Sequence, residues 1–222
     1  MTNELLQAAG QRDVRSLRDE HGLDDVLRFD NCNIRELTDE AWDRLAPVVG
    51  AGHTFVVKSH EKPTSVAKRL GAEGLVRSTY IHRDPRDVVV SAYQRGQRRR
   101  ARGKSDSFAR LRWMPLSLLW MRIRQIPVYE AWRREPTTLV IRYEDLKATP
   151  EDVLRRVCEH LSIEVEDEEI HRIAVSYTGD NARSKVGSHF RGGTRRQDEM
   201  TSFQRRLANL LFRRTLVSMG YE

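Results

Sequence analysis

Residues 80–93 read Tyr-Ile-His-Arg-Asp-Pro-Arg-Asp-Val-Val-Val-Ser-Ala-Tyr, and they place a strand, a tight turn and a helix in succession. Tyr80-Ile81-His82 ends a run with the composition of a buried strand. Asp84 can cap a first helical turn, and Pro85 suits the first helical position, where a backbone N–H has no use. Val88, Val89 and Val90 follow as the core-facing part of the helix. Arg83 then stands at the turn with a planar fork of donors suited to phosphate oxygens. Ser91 falls about two turns into the helix, where its hydroxyl can support the same anion from the side. A plain strand-to-helix junction carrying an Arg–Asp surface pair fits the same spacing, and the residues alone leave both readings open.

Outward from this junction, strand and helix signals alternate. Residues 3–9 read as the end of a short helix closed by Gly10, and residues 24–30 as a short strand. Thr38 to Val48 has a cap, an acidic first turn, and Trp42, Leu45 and Val48 on one face, which predicts an amphipathic helix. Thr54 to Lys58 is a compact apolar strand, Pro63 to Leu70 the helix after it, and Leu75 to His82 the next strand. The helix from Pro85 to Gln94 gives way to a basic loop over 95–104. Leu116 to Arg134 is a long helix, Thr137 to Ile141 a β-branched strand, and Pro150 to Leu161 and Glu166 to Val175 are helices. Residues 178–199, rich in Gly, Ser, Arg and Asp, read as a long functional loop before a closing helix, Phe203 to Met219. This alternation predicts an α/β fold of three layers, a central, mostly parallel sheet flanked by helices, in one domain over 1–222.

The 222 residues carry 39 Lys and Arg against 32 Asp and Glu, a formal charge of +7 that favours an anionic partner. Cys32 and Cys158 are far apart and form no metal-ligand pattern, so a reducing compartment is expected and a metal is not. No apolar run reaches the length of a membrane span, because Pro115, Arg122, Arg124 and Pro127 interrupt the most apolar stretch. The N-terminus lacks the basic head and long apolar segment of a secretory signal. These features together predict a cytoplasmic protein. The cluster Arg95, Arg98, Arg99, Arg100, Arg102 and Lys104 is compatible with nucleic-acid binding. No helix-turn-helix, zinc or aromatic-platform signature accompanies it, and no nucleic-acid partner is expected.

Ligands on parallel sheets sit beyond the carboxyl ends of the strands. Lys58, His60 and Arg83 all fall at or just after such ends. His60 beside Lys58 suits proton transfer near an anion, although a lone His is more often structural.

Four segments carry a resemblance. Residues 80–93 resemble the 3′-phosphate motif of sulfotransferases that use 3′-phosphoadenosine 5′-phosphosulfate (PAPS), whose Arg and Ser hold the 3′-phosphate. The resemblance assigns that role to Arg83 and Ser91. Lys58-Ser59-His60 is similar to the family's Lys-Thr-His or Lys-Ser-His, which makes His60 the general base and puts Lys58 near the transferring sulfonate. Glu61 is an alternative base, ranked below His60. Tyr143-Glu144-Asp145-Leu146 resembles the family's Tyr-Glu-Asp-Leu segment, whose Tyr approaches the adenine. Phe190-Arg191-Gly192-Gly193 resembles a Phe-Arg-Lys-Gly loop, with Arg191, Gly192 and Gly193 at the cofactor. The Gly-Asp-Trp that usually follows is absent, and Arg195 or Arg196 is a candidate for the missing charge.

The resemblance implies a P-loop NTPase-like sulfotransferase fold. It also implies transfer of a sulfonate from PAPS, without a metal, to a hydroxyl or amine of a small-molecule, glycan or natural-product acceptor. It covers residues 50–222 well and the first fifty poorly. No Pro-Lys-Ser-Gly-Thr-like loop for the 5′-phosphosulfate precedes Lys58, and Gly10, Gly22 and Gly50 sit in the wrong contexts. Two explanations follow: an N-terminally truncated chain that has lost a central strand and carries an apolar groove in its place, or a divergent member that binds the 3′ end only. The alternatives to an active enzyme are an inactive sulfotransferase-like nucleotide-binding protein and a basic nucleic-acid-binding domain.

Overall fold

The structure is a computed structural model and describes residues 1–28, 32–177 and 196–221. The chain divides into two compact units, Met1–Tyr80 with Ala131–Arg191, and Ile81–Glu130 with Gly192–Glu222.

In the first unit, helices α1 (Thr2–Ala8), α2 (Val14–Glu20), α3 (Asp39–Gly50) and α4 (Ser65–Ala72) precede strand β1 (Ser78–His82), whose last two residues belong to the second unit. The unit resumes at the end of α7 (Ile126–Arg133). It continues through strand β2 (Thr138–Arg142) and helices α8 (Tyr143–Ala148), α9 (Pro150–Leu161) and α10 (Asp167–Ser176). β1 and β2 are neighbours in a small parallel sheet flanked by helices. The Ser78 N–H donates to the Thr137 carbonyl at 3.0 Å, which sets their register. Two apolar clusters hold this unit. One gathers Leu5, Ile141, Val153, Leu154, Val157 and Ile173, so that α1, α9 and α10 close on β2. The other gathers Val14, Leu17, Leu23, Leu27, Leu45 and Val48 between α2 and α3. Arg77 adds a polar clamp, donating to Ser162 Oγ at 2.6 Å, while the His160 Nε2 lies 2.9 Å from the Ser78 carbonyl oxygen.

Helix starts follow their capping residues. Thr38 and Thr64 accept from the Ala41 and Ala67 N–H groups at 3.2 and 3.1 Å and start α3 and α4. Asp13 caps α2 by accepting from the Arg15 N–H at 2.8 Å. The Arg15 guanidinium also binds that carboxylate and holds Asp13 down at about 2, below its ordinary 3.8. A depressed carboxyl stabilises the fold fully above its unfolded value, and the contribution is lost as pH falls through the folded value. Stability should therefore decline between about pH 4 and pH 2 in part through Asp13. Asp13→Ala is expected to lower stability by about 1 kcal/mol at neutral pH and to flatten that acid limb, read from melting curves across pH.

In the second unit, α5 (Pro85–Ala101) leads to α6 (Met114–Trp120), a π-helical turn (Met121–Gln125) and the start of α7, and a 3₁₀ turn (Arg196–Glu199) precedes α11 (Ser202–Met219). Val89, Leu118, Met121, Ile126, Phe212 and Leu216 form its core. His82 is buried there, tilted against Tyr129 and edge-on to Tyr221 with ring centroids 5.2 and 5.7 Å apart.

Three expectations change. Residues 24–28 form a turn with an isolated antiparallel bridge, Arg28 to Asn33, and no strand, while 29–31 lie outside the described residues. Residues 54–58 do not form a strand, because the segment meets a neighbour only at Lys58, bridged in parallel to Asn33. The basic stretch 95–101 is the last part of α5 and not a loop. Arginine is a good helix former, and Gly96 is there for space: a Cβ would lie 2.3 Å from the Phe108 carbonyl oxygen.

Among the described residues, no helix is long and apolar enough to cross a membrane. No cluster of His, Cys, Asp and Glu among them could hold a metal ion.

Candidate active site

Lys58 and His60 are exposed and lie on one short segment of the first unit, whose path is set by residues 32–35. The Lys58 N–H donates to the Cys32 carbonyl at 3.2 Å, and its carbonyl accepts from the Ile34 N–H at 2.8 Å. The Ser59 hydroxyl donates to the Arg35 carbonyl at 3.1 Å and accepts from the Glu61 N–H at 3.2 Å. The Trp132 indole N–H then takes the Glu61 carbonyl at 2.9 Å. Bonds on both sides of His60 thus hold the segment, while the two candidate side chains, Lys58 and His60, are exposed. Tyr143, half-buried, is the first residue of α8 and directly follows β2.

The first unit also holds a cavity of about 440 Å³ lined by Phe55, Val57, Ser59, Ser78, Tyr80 and Trp132, among others. Its walls include residues 53–57 and β1. Among the described residues, no backbone group of 55–57 bonds to a neighbour. Lys58, His60 and Tyr143 are not among the lining residues.

In the second unit, Arg83 and Ser91 stand at the head of α5. Asp84 caps the helix, accepting from the Arg86 N–H at 2.9 Å, with Pro85 in the first turn. Arg83 Nη2 donates to Asp87 Oδ2 at 2.8 Å, so the Arg–Asp pair legible in the sequence is present, with Asp87 buried and Arg83 only 22% exposed. Asp84, Asp87 and Ser91 are spaced i, i+3, i+7 and share one face of α5. Arg83, just before the N-cap, and Ser91, about two turns into the helix, supply a cation and a hydroxyl of the kind that suits a phosphate group, with the Asp84 and Asp87 carboxylates on the same face as Ser91. The residues present therefore fit the 3′-phosphate that the resemblance implies.

Asp87 has a second partner. Its Oδ1 accepts from the Gln197 N–H at 2.9 Å, and Gln197 Nε2 lies 3.3 Å from Asp84 Oδ2. Arg196, proposed from sequence as a spare cation, is buried and donates to Gln94 Oε1 at 2.9 Å. It ties the 3₁₀ turn to α5 and is not presented to solvent. The segment after the Phe190–Gly193 motif is thus anchored on the helix that carries Arg83 and Ser91. Arg191, Gly192, Gly193 and Arg195 lie outside the described residues. Asp87→Asn would set an amide N–H against one of two donors, Arg83 or Gln197. The expected loss is about 1–3 kcal/mol of stability, visible as a lowered melting temperature.

The Sulfotransferase domain family model matches residues 51–207. The chain belongs to the sulfotransferase family, whose reaction is sulfonyl transfer. No curated protein sequence matches it. Two solved structures share the fold. A mouse sulfotransferase complexed with PAP aligns at a TM-score of 0.58 and 18% identity, over 78% of this chain and 69% of that one. Retinol dehydratase in complex with androsterone and inactive cofactor PAP aligns at 0.52 and 15% identity, over 97% and 76%.

Proposed function

We propose that the chain transfers a sulfonate from PAPS to a hydroxyl or amine of a small-molecule, glycan or natural-product acceptor. The observation that carries this reading is the head of α5, where Arg83 is oriented by buried Asp87 and stands on the same helix end as Ser91. It is supported by the family match and by PAP in both fold relatives.

When bound, PAPS supplies the sulfonate and a phosphate leaving group. Arg83 and Ser91 hold the 3′-phosphate, Tyr143 lies against the adenine, and Arg191, Gly192 and Gly193 contribute backbone and charge to the same nucleotide. His60 takes the proton from the acceptor, with Glu61 as the alternative base. Lys58 meets negative charge that develops during transfer. Such a scheme rests on positioning and fixed charge, and it requires no metal.

A second reading is a sulfotransferase-like nucleotide-binding protein without turnover. The experiment that separates the two is transfer from labelled PAPS to a panel of phenols, sugars, lipids and peptides. Label in an acceptor product supports the enzyme. Tight nucleotide binding with no labelled product across the panel supports the second reading.

A further inference from the structure

Charge is distributed unequally between the two units. The second unit holds 18 of the 39 basic residues and 7 of the 32 acidic ones, a formal +11, which leaves the first unit at −4 within the total of +7. No Asp or Glu occurs between Asp106 and Glu130, and none between Glu199 and Glu222.

The exposed apolar residues of this unit fall in those same acid-free stretches. Along residues 112–124, Met114, Ser117, Leu118 and Met121 are buried, and the opposite face presents Trp113, Leu116, Leu119 and Ile123 at 69, 37, 53 and 58% exposure. Arg112, Arg122 and Arg124 flank the apolar residues, are exposed, and make no ion pair among the described residues. On α11, Phe203, Leu210 and Val217 repeat at seven-residue spacing with 75, 75 and 57% exposure, and Arg206 and Arg213 lie between them.

We propose that the 112–124 face of the second unit docks on an anionic lipid bilayer surface, with Trp113, Leu116, Leu119 and Ile123 in the interface and the arginines against lipid headgroups. A helix that presents only large apolar residues and arginines matches the chemistry of that boundary, where apolar side chains enter the acyl region and cations meet anionic headgroups. Apart from the Trp113 indole N–H, the exposed positions from Arg112 to Arg124 carry no uncharged hydrogen-bonding side chain. This is the composition expected for a surface without directional partners, and it is less suited to a protein interface with paired polar groups. A second copy of the chain is disfavoured, because pairing this face with itself brings arginines together with no carboxylate between them. Nucleic acid would use the arginines and leave four large apolar side chains in water. The inference does not depend on the sulfonyl-donor reading, since it uses none of the proposed site residues.

The test is co-sedimentation of the full chain with phosphatidylcholine vesicles, with and without phosphatidylserine. Binding is expected only where phosphatidylserine is present, and it should weaken as salt is raised. Trp113 fluorescence should be quenched by lipids brominated in the acyl chain, and that quenching should disappear in Trp113→Phe while vesicle binding persists. Arg122→Gln with Arg124→Gln should reduce partitioning roughly thirtyfold, the effect of two cations near an anionic surface. Leu119→Gln with Ile123→Gln should reduce it roughly tenfold or more through lost apolar burial. All four positions are exposed, and an unchanged circular dichroism spectrum confirms that each variant folds. Absence of vesicle binding overturns the proposal, as does binding that both double variants retain. Binding to a single-stranded oligonucleotide without vesicle binding, left unchanged by the Leu/Ile variant, assigns the surface to nucleic acid and equally overturns it.

Discussion

His60→Ala is expected to lower turnover with labelled PAPS by about two to four orders of magnitude and to leave nucleotide affinity unchanged. That range is what a positioned base contributes when it accepts a proton in the transition state. The segment around His60 is held by the Lys58 backbone to residues 32 and 34, the Ser59 hydroxyl to the Arg35 carbonyl, and the Glu61 carbonyl to the Trp132 indole. The imidazole is exposed and is not part of either apolar cluster of its unit, so its removal should leave the fold intact. Glu61→Gln provides the internal control. It should cost little if His60 is the base. If Glu61→Gln carries the large loss and His60→Ala does not, the roles are reversed.

Arg83→Ala should have two effects of comparable size. Loss of charge-assisted bonds to a phosphate weakens binding of adenosine 3′,5′-bisphosphate by about 1.5–3 kcal/mol, roughly ten- to a hundredfold. The same change strands the buried Asp87 carboxylate, and removing one partner of a buried pair typically costs about 3–5 kcal/mol. Because Arg83 keeps 22% exposure and Asp87 retains the Gln197 N–H, the stability loss should fall at or below the low end of that range. Arg83→Lys separates the two effects. It restores the charge beside Asp87 and most of the melting temperature, but an ammonium lacks the planar fork, so affinity should stay low. A fully restored affinity in Arg83→Lys would contradict recognition of the phosphate by the Arg83 fork.

What could be read in the sequence was local. Asp84-Pro85 announced the start of α5, Thr38 that of α3, and Gly10 the end of α1, where it adopts the positive φ that glycine permits. Each of these signals sits within a few residues of its effect. What could not be read depends on distant partners. The Asp87–Gln197 bond joins residues 110 positions apart and has no pattern in either segment. Residues 54–58 have strand composition, yet a strand needs a neighbour, and this segment has one only at Lys58. Residues 95–101 looked like a loop for their Gly and Arg. Gly96 is instead the position where the Phe108 backbone meets α5, a contact visible only once the chain returns.

The candidate site divides in the same way. The motifs that propose Arg83, Ser91, Lys58 and His60 could be picked out because they are short and each sits beside its own turn or helix start. Asp87's role as the shared acceptor for Arg83 and Gln197, and Arg196's burial against Gln94, were not legible, because both depend on where the segment after residue 195 lands.

The central claim is that Arg83 at the head of α5 reads a 3′-phosphate. The most direct measurement is a calorimetric titration of the 222-residue chain with adenosine 3′,5′-bisphosphate and, separately, with adenosine 5′-monophosphate, repeated in Arg83→Lys. The bisphosphate should bind at least about tenfold tighter than the monophosphate, and Arg83→Lys should erase most of that difference. Equal affinity for the two nucleotides, or a preference that survives intact in Arg83→Lys, would contradict it.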